Sequence, residues 1–170
     1  MYIYFTTNDK FYSKLLMWLT DEPTSHVAVG FYFGGKINVI EATKPRARLL
    51  SYKSFKKSHT IVNALKLDLG FDDELDVYSK TIKTMLGKPY DWPAYFYGFW
   101  RSILRKFFNI PYPKINRFND SKKQLCTEIL DPLKMFFASR GIDIIMDLSA
   151  KSPHGLYLHL KKQPGIKCLK

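Results

Sequence analysis

A thiol and an imidazole can share the work of nucleophilic catalysis if a third group orients the ring. The chain holds two cysteines and four histidines. One cysteine, in Gln124-Leu125-Cys126-Thr127-Glu128-Ile129-Leu130, stands where a loop runs into an apolar helical pattern. Backbone N–H groups and the positive end of a helix dipole favour a thiolate at such a place. The candidate base is His26, which opens a strand rich in Val and Phe. Gly34-Gly35 turns that strand back on a partner carrying Glu41. In a tight hairpin the facing residues sum to about 69, which sets Glu41 opposite Val27 or Ala28. His26 and Glu41 are then close neighbours if they share a face. Residue type and spacing leave bland readings open beside these. Cys126 also reads as a buried inert thiol, His26 as a hydrogen-bonded structural histidine, and Glu41 as a solvated strand end. Glu128 reads as a helix-start charge or the partner of a basic residue. His59, His154 and His159 have no metal-ligand spacing with a cysteine or carboxylate cluster, so no metal site and no cofactor are expected.

The elements that must position these residues follow from periodicity. Residues 1–7 read as a strand. Asn8 or Asp9 caps a short helix ending at Leu19. Residues 26–33 and 36–43 form the hairpin. A basic connection over 46–58 leads to a strand at 60–67. Asp72, Asp73 and Glu74 crowd the first turn of a helix over 72–86, and Gly87 stops it. Residues 94–108 are helical in period. Phe96, Phe99, Trp100, Ile103, Leu104 and Phe107 lie on one face and Arg101, Arg105 and Lys106 on the other. That helix reads as a core element or a lid over a groove, with insertion at an anionic membrane surface as the other reading. The helix from Cys126 is expected to kink or restart at Asp131-Pro132 and to stop at Gly141. Strands are expected at 142–148 and 157–160, with a turn at 152–155 and a frayed basic tail around Cys168.

A chain of 170 residues is read as one domain. Hydrophobic content of 46% and charged content of 25% are those of a globular protein. The net charge of +12 points to an anionic partner, either a membrane or a cell-wall surface, or to a solvated basic face. Nucleic acid is not expected, because no zinc-finger, RNA-recognition or P-loop pattern accompanies the charge. Cys126 and Cys168 are expected as free thiols in a reducing compartment. No signal peptide or transmembrane stretch is read, so a cytoplasmic site of synthesis is the expectation.

Several pieces in one order then form a pattern: Ser25-His26-Val27-Ala28-Val29-Gly30, Val39-Ile40-Glu41-Ala42, Gly87-Lys88-Pro89-Tyr90-Asp91-Trp92 and Cys126-Thr127-Glu128-Ile129-Leu130. A late Lys151-Ser152-Pro153 follows. This order resembles the circularly permuted branch of the NlpC-type, papain-like cysteine hydrolases, and most of all its YiiX-like members. The resemblance implies an α+β, permuted papain-like fold. A small antiparallel sheet would pack against a cysteine-bearing helix, with an added aromatic, basic helix in an insert over 93–125 of a single domain spanning 1–170. It implies Cys126 as nucleophile, His26 as general base and Glu41 as the orienting third member of a catalytic triad. Tyr90 would sit beside the cysteine and help hold an oxyanion. The long insert departs from the short link of unpermuted relatives.

The resulting expectation is a thiol hydrolase, a cysteine peptidase or amidase, acting on a peptide, cell-wall peptide or isopeptide-like amide without metal or organic cofactor. Two alternatives stand beside it. One is a lipid-directed acyltransferase or phospholipase on the same fold. The other is a catalytically inactive basic binding module.

Overall fold

A computed structural model describes residues 1–111, 118, 120–144 and 148–169. Its centre is a six-stranded antiparallel sheet. The strands are β1 (Tyr2–Thr7), β2 (His26–Phe33), β3 (Lys36–Glu41), β4 (Arg48–Ser51), β5 (Thr60–Leu67) and β6 (Ile166–Leu169). They lie in the order β4-β3-β2-β1-β5-β6. The helices are α1 (Phe11–Thr20), α2 (Tyr52–Ser58), α3 (Phe71–Met85), α4 (Trp92–Phe108), α5 (Lys134–Ser139) and α6 (Pro153–Leu160). The architecture is α+β, as expected.

The hairpin turns where the glycines stand. Gly34 and Gly35 take φ of 57° and 76°, a region that costs residues with a Cβ. Ala28 faces Glu41 across the hairpin. Two-residue alternation then divides the strands between two apolar clusters. Ile3, Phe5, Val27, Val29, Phe31 and Ile40 point to the larger core, beneath the C-terminal helical segments. Tyr4, Ala28 and Val39 point to the other face, where Phe55 of α2 closes a smaller cluster. His26 and Glu41 belong by parity to that second face. Gly30 is needed for close approach: a Cβ there would lie 2.7 Å from Cε2 of Tyr4.

Several expectations are corrected. The 46–58 connection holds β4 and α2, which Ser51 caps by accepting from the Ser54 N–H at 3.2 Å. α1 begins after Lys10 with no side-chain cap, so neither Asn8 nor Asp9 caps it. The segment after Cys126 is a 3₁₀ helix, Thr127–Leu133, rather than an α-helix, while the restart predicted at Asp131-Pro132 is present, with α5 beginning at Lys134. Residues 142–144 form no strand, and 145–147 lie outside the described residues. Residues 152–160 are not a turn and a strand. Ser152 accepts from the Gly155 N–H at 3.0 Å and Pro153 occupies the first turn of α6, a helix start of the usual kind. The tail is not frayed, because 166–169 pair with β5 as β6.

The aromatic helix corrects its expected packing most. Its fully buried residues are Ala94 and Ser102. Phe96, Trp100 and Phe107, placed on the expected apolar face, are 58%, 57% and 60% exposed. α4 is therefore no core helix. It leans on α1, with Trp18 and Phe107 rings 6.1 Å apart and Lys106 paired to Asp21 at 2.7 Å. Among the described residues, no helix is long and apolar enough to cross a membrane.

Candidate active site

Two connections bring Cys126 to the sheet. The Tyr90 segment is tied to the start of the hairpin's exit, with the Tyr90 N–H donating to the Pro45 carbonyl at 3.1 Å. It is also tied to the strand-like stretch before the cysteine. There Gln124 N–H donates to the Pro89 carbonyl and Asp91 N–H to the Gln124 carbonyl, both at 3.0 Å. Within the cysteine segment, Leu125 N–H donates to the Glu128 carboxylate at 2.6 Å. Glu128 is thus a buried local clamp on the turn that carries Cys126. This turn is one short 3₁₀ run, so a helix dipole has little length over which to build.

The chief neighbour is His26, whose basicity Cys126 raises more than any other group does. Its Nε2 lies 2.8 Å from Oε2 of Glu41, which leaves Nδ1 for the thiol. Burial alone would lower the basicity of His26. Cys126, then the bond to Glu41, overcome it and raise the imidazole to about 10. Burial likewise favours the acid form of Glu41, but its bond and attraction to His26, with His59 and Arg48 adding to them, bring the carboxyl down to about 2. Glu41 is completely buried, and its second oxygen accepts from Arg48 Nε at 2.8 Å and Nη2 at 2.7 Å. The structure thus brings His26 and Glu41 into contact and sets Cys126 near His26.

Tyr90 is close enough to Cys126 for the thiol's charge to act on its phenol. Burial first, then Cys126, holds that phenol well above its ordinary range. It stays a hydrogen-bond donor at any working pH. Tyr95, in the first turn of α4, behaves alike and is pushed up to about 12 by burial and then Cys126. The sequence reading missed Tyr95, which carries no signal beyond being one aromatic among many on α4. Ser152, from the late motif, caps α6 and donates to Glu22 at 2.8 Å. Burial raises the acid form of Glu22 at that wall.

Cys126 opens onto a cleft of about 90 Å³, lined mainly by apolar groups that include Leu16, Tyr90, Tyr95, Phe99 and Leu125. A second, more polar cavity lies on the other side of Tyr90 and Tyr95 and is lined by His26, His59, Thr43 and Lys44. The thiol is 8% exposed, and both cysteines are free.

His59 also joins the site, although no metal-ligand spacing in the sequence links it to a carboxylate. β1 lies between β2 and β5, with Thr6 opposite His26 and Thr7 opposite Thr60. That places His59, just before β5, beside His26. Their rings stack with centroids 5.1 Å apart, and His59 Nε2 is 3.5 Å from Oε2 of Glu41. Burial, then the neighbouring His26, lower the basicity of His59. One ligand atom from each of His26, Glu41 and His59 lies within 4.8 Å of the others. Two imidazoles and one carboxylate are the donor set of many divalent transition-metal sites. Tetrahedral bonds of about 2.0–2.1 Å would separate donors by about 3.3 Å. The residues present fit such an ion.

The sequence matches no protein-family model and is similar to no curated protein. Among solved structures, the chain is similar to the crystal structure described as the metalloprotein YiiX from Escherichia coli O157:H7. The match has a TM-score of 0.56 and 16% identity, and it covers 99% of this chain and 94% of that one. Nearly end to end, this chain therefore has the YiiX-like fold.

Proposed function

We propose that the protein is a thiol hydrolase of the permuted papain-like kind, cleaving an amide or peptide bond through an acyl-enzyme. The observation that carries this reading is buried His26, 2.8 Å from buried Glu41 and near enough to Cys126 for the thiol to raise its basicity. His26 takes the thiol proton, and Sγ attacks the carbonyl carbon. The Tyr90 phenol faces the developing oxyanion, with Tyr95 beside it. As the tetrahedral adduct collapses, His26 returns its proton to the leaving nitrogen and a thioester remains. Water, deprotonated by His26, attacks the thioester. Collapse then frees the carboxylic acid and restores the thiol. Glu41 holds the ring in the tautomer that needs Nδ1 at the thiol, and its charge supports the imidazolium.

The reading is tested by the two cysteines of one chain. Cys168 is exposed and Cys126 nearly buried, so access alone makes Cys168 the faster to alkylate. With limiting iodoacetamide at pH 7, Cys126 is expected to label first, and His26→Ala is expected to remove its advantage. Labelling of Cys126 no faster than Cys168 would leave the basic binding module as the better account.

A second reading, lipid-directed acyl transfer or phospholipase chemistry at the same Cys126, draws on two observations. The cleft beside the thiol is mainly apolar, and its α4 wall carries outward-facing Phe96, Trp100 and Phe107 with no acidic residue on the helix. Large aromatics beside Arg101, Arg105 and Lys106 suit an anionic bilayer surface. Sedimentation with anionic vesicles, compared with neutral ones, separates the two readings; no lipid-dependent binding removes the second. The neighbour's description as a metalloprotein raises the question of an ion for this chain too, and His26, Glu41 and His59 are the residues that would hold it. None of the steps above is routed through one.

A further inference from the structure

We propose that His26, Glu41 and His59 form a site for one divalent transition-metal ion of the zinc class, whose occupation withdraws His26 from thiol chemistry. This state rests on the same residues as the proposed hydrolase, but its occupation is read from metal binding, without any substrate.

The donor atoms are already aimed. Ser58 Oγ donates to the Phe55 carbonyl at 3.2 Å, which uses its single hydrogen. The same oxygen lies 3.0 Å from His59 Nδ1, so it accepts there and Nδ1 carries the proton. His59 Nε2 then presents a lone pair to Oε2 of Glu41 at 3.5 Å. Two acceptors facing each other repel, and a cation between them turns the repulsion into two bonds. His26 Nε2, 2.8 Å from the same oxygen, supplies the third donor. Opening that contact by about half an ångström gives tetrahedral spacing. Supporting contacts are in place as well. Ser58 fixes the His59 ring, Phe55 stacks on it at 4.6 Å, and Arg48 occupies the other oxygen of Glu41, which restricts Glu41 to one metal bond. The remaining position faces the polar cavity beside Thr43 and Lys44, where water can complete the shell.

The ion and the catalytic hydrogen bond exclude each other, because both need Nε2 of His26 and Oε2 of Glu41. Coordination uses the lone pair of Nε2, so the neutral ring carries its single proton on Nδ1. Nδ1 then has no lone pair to accept the Cys126 proton, and the ring no longer serves as base. Cys126 itself is outside the donor set.

The test uses the full chain without a histidine tag, stripped with chelator and titrated with Co²⁺ and Zn²⁺. The expected result is one Co²⁺ per chain with visible d–d bands and no sulfur-to-cobalt charge-transfer band in the near ultraviolet, the mark of thiolate ligation. Cys126→Ala should keep the spectrum. His59→Ala should weaken binding by roughly a hundredfold or more, the upper end of what even a supporting contact is worth. His59→Gln, which keeps the ring's bulk in part, serves if the alanine variant does not fold by circular dichroism. In the wild type, Zn²⁺ should suppress turnover of an activated ester and chelator should restore it. No saturable binding, a thiolate band lost in Cys126→Ala, unchanged affinity in the His59 variant, or turnover indifferent to bound Zn²⁺ would each overturn the proposal. Failure of Cys126 to show enhanced alkylation in metal-free protein would instead strike the hydrolase reading alone.

Discussion

Replacing Glu41 by Gln removes one charge and almost no volume from the buried end of the proposed triad. The carboxylate stands 2.8 Å from His26 Nε2. At an effective dielectric of about 20, an imidazolium–carboxylate pair at that separation is worth about 6 kcal/mol of gross attraction. The amide oxygen of Gln still accepts a hydrogen bond worth about 1 kcal/mol. Part of the remainder was already spent on taking the pair out of water, so about 3 kcal/mol of support for the charged ring is lost. At 1.36 kcal/mol per decade this is roughly a hundredfold fall in the thiolate–imidazolium population. The assay is the second-order alkylation rate of Cys126, followed by intact-mass spectrometry near neutral pH, with Cys168 as internal control. Arg48 is 53% exposed on its side chain and finds water when Glu41 loses its charge. Folding is therefore expected to survive, and circular dichroism checks it. A folded Glu41→Gln protein whose Cys126 alkylates within about threefold of wild type, a difference of less than 1 kcal/mol, would refute the assignment of Glu41 as electrostatic support.

Other outcomes follow from the same geometry. His26 is raised to about 10, so its contribution to stability is complete below an unfolded value of about 6.5 and is lost as pH rises through about 10. Glu41 is lowered to about 2, so its contribution is complete above an unfolded value of about 4.3 and is lost as pH falls through about 2. Urea denaturation across pH should show a plateau between those unfolded values for this pair, flattened on both sides in Glu41→Gln. Tyr90→Phe should slow turnover of an activated ester by roughly 10²–10³ if its phenol serves the oxyanion, with little effect on Cys126 alkylation. Equal loss in both assays would make Tyr90 a packing residue. Gly30→Ala places a Cβ 2.7 Å from the Tyr4 ring, and thermal denaturation should report a loss of about 1–3 kcal/mol, as for overpacked cores. A neutral result would mean that β1 yields without cost.

How much of this was legible beforehand depended on the range of the interactions. The hairpin is local: Gly34-Gly35 fixes its register, and parity then puts His26 and Glu41 on one face. β5 and α3 were equally readable, from alternation and from the acidic first turn ended by Gly87. The short elements failed where one signal served two structures. Ser152-Pro153-His154-Gly155 has turn composition, yet a serine followed by proline is also a helix start, and Leu156 and Leu160 bury one face of that helix in the core. β6 was invisible because its pairing is supplied by β5, about a hundred residues away, and its own composition is basic. The aromatic stripe of α4 had helical period, but period does not say which face meets protein. His59 could not have been found from spacing either. Its nearness to His26 is created by β1, which separates their strands and aligns their ends.

The attachment of the insert has an evolutionary consequence. Asp91 is wholly buried and bonds both margins of the excursion, accepting from the Ala94 N–H at 3.1 Å with one oxygen and from the Asp120 N–H at 3.0 Å with the other. Tyr90 and Gln124 bridge just inside it. Departure and return are thus laced side by side, and the closure cost of what hangs between them grows only slowly with its length. A different segment carried on the same lacing would recast the cleft wall that Tyr95 and Phe99 now form, while the cysteine, the histidine and the glutamate keep their places. On the proposed hydrolase reading, the cleft wall and the triad can therefore vary independently.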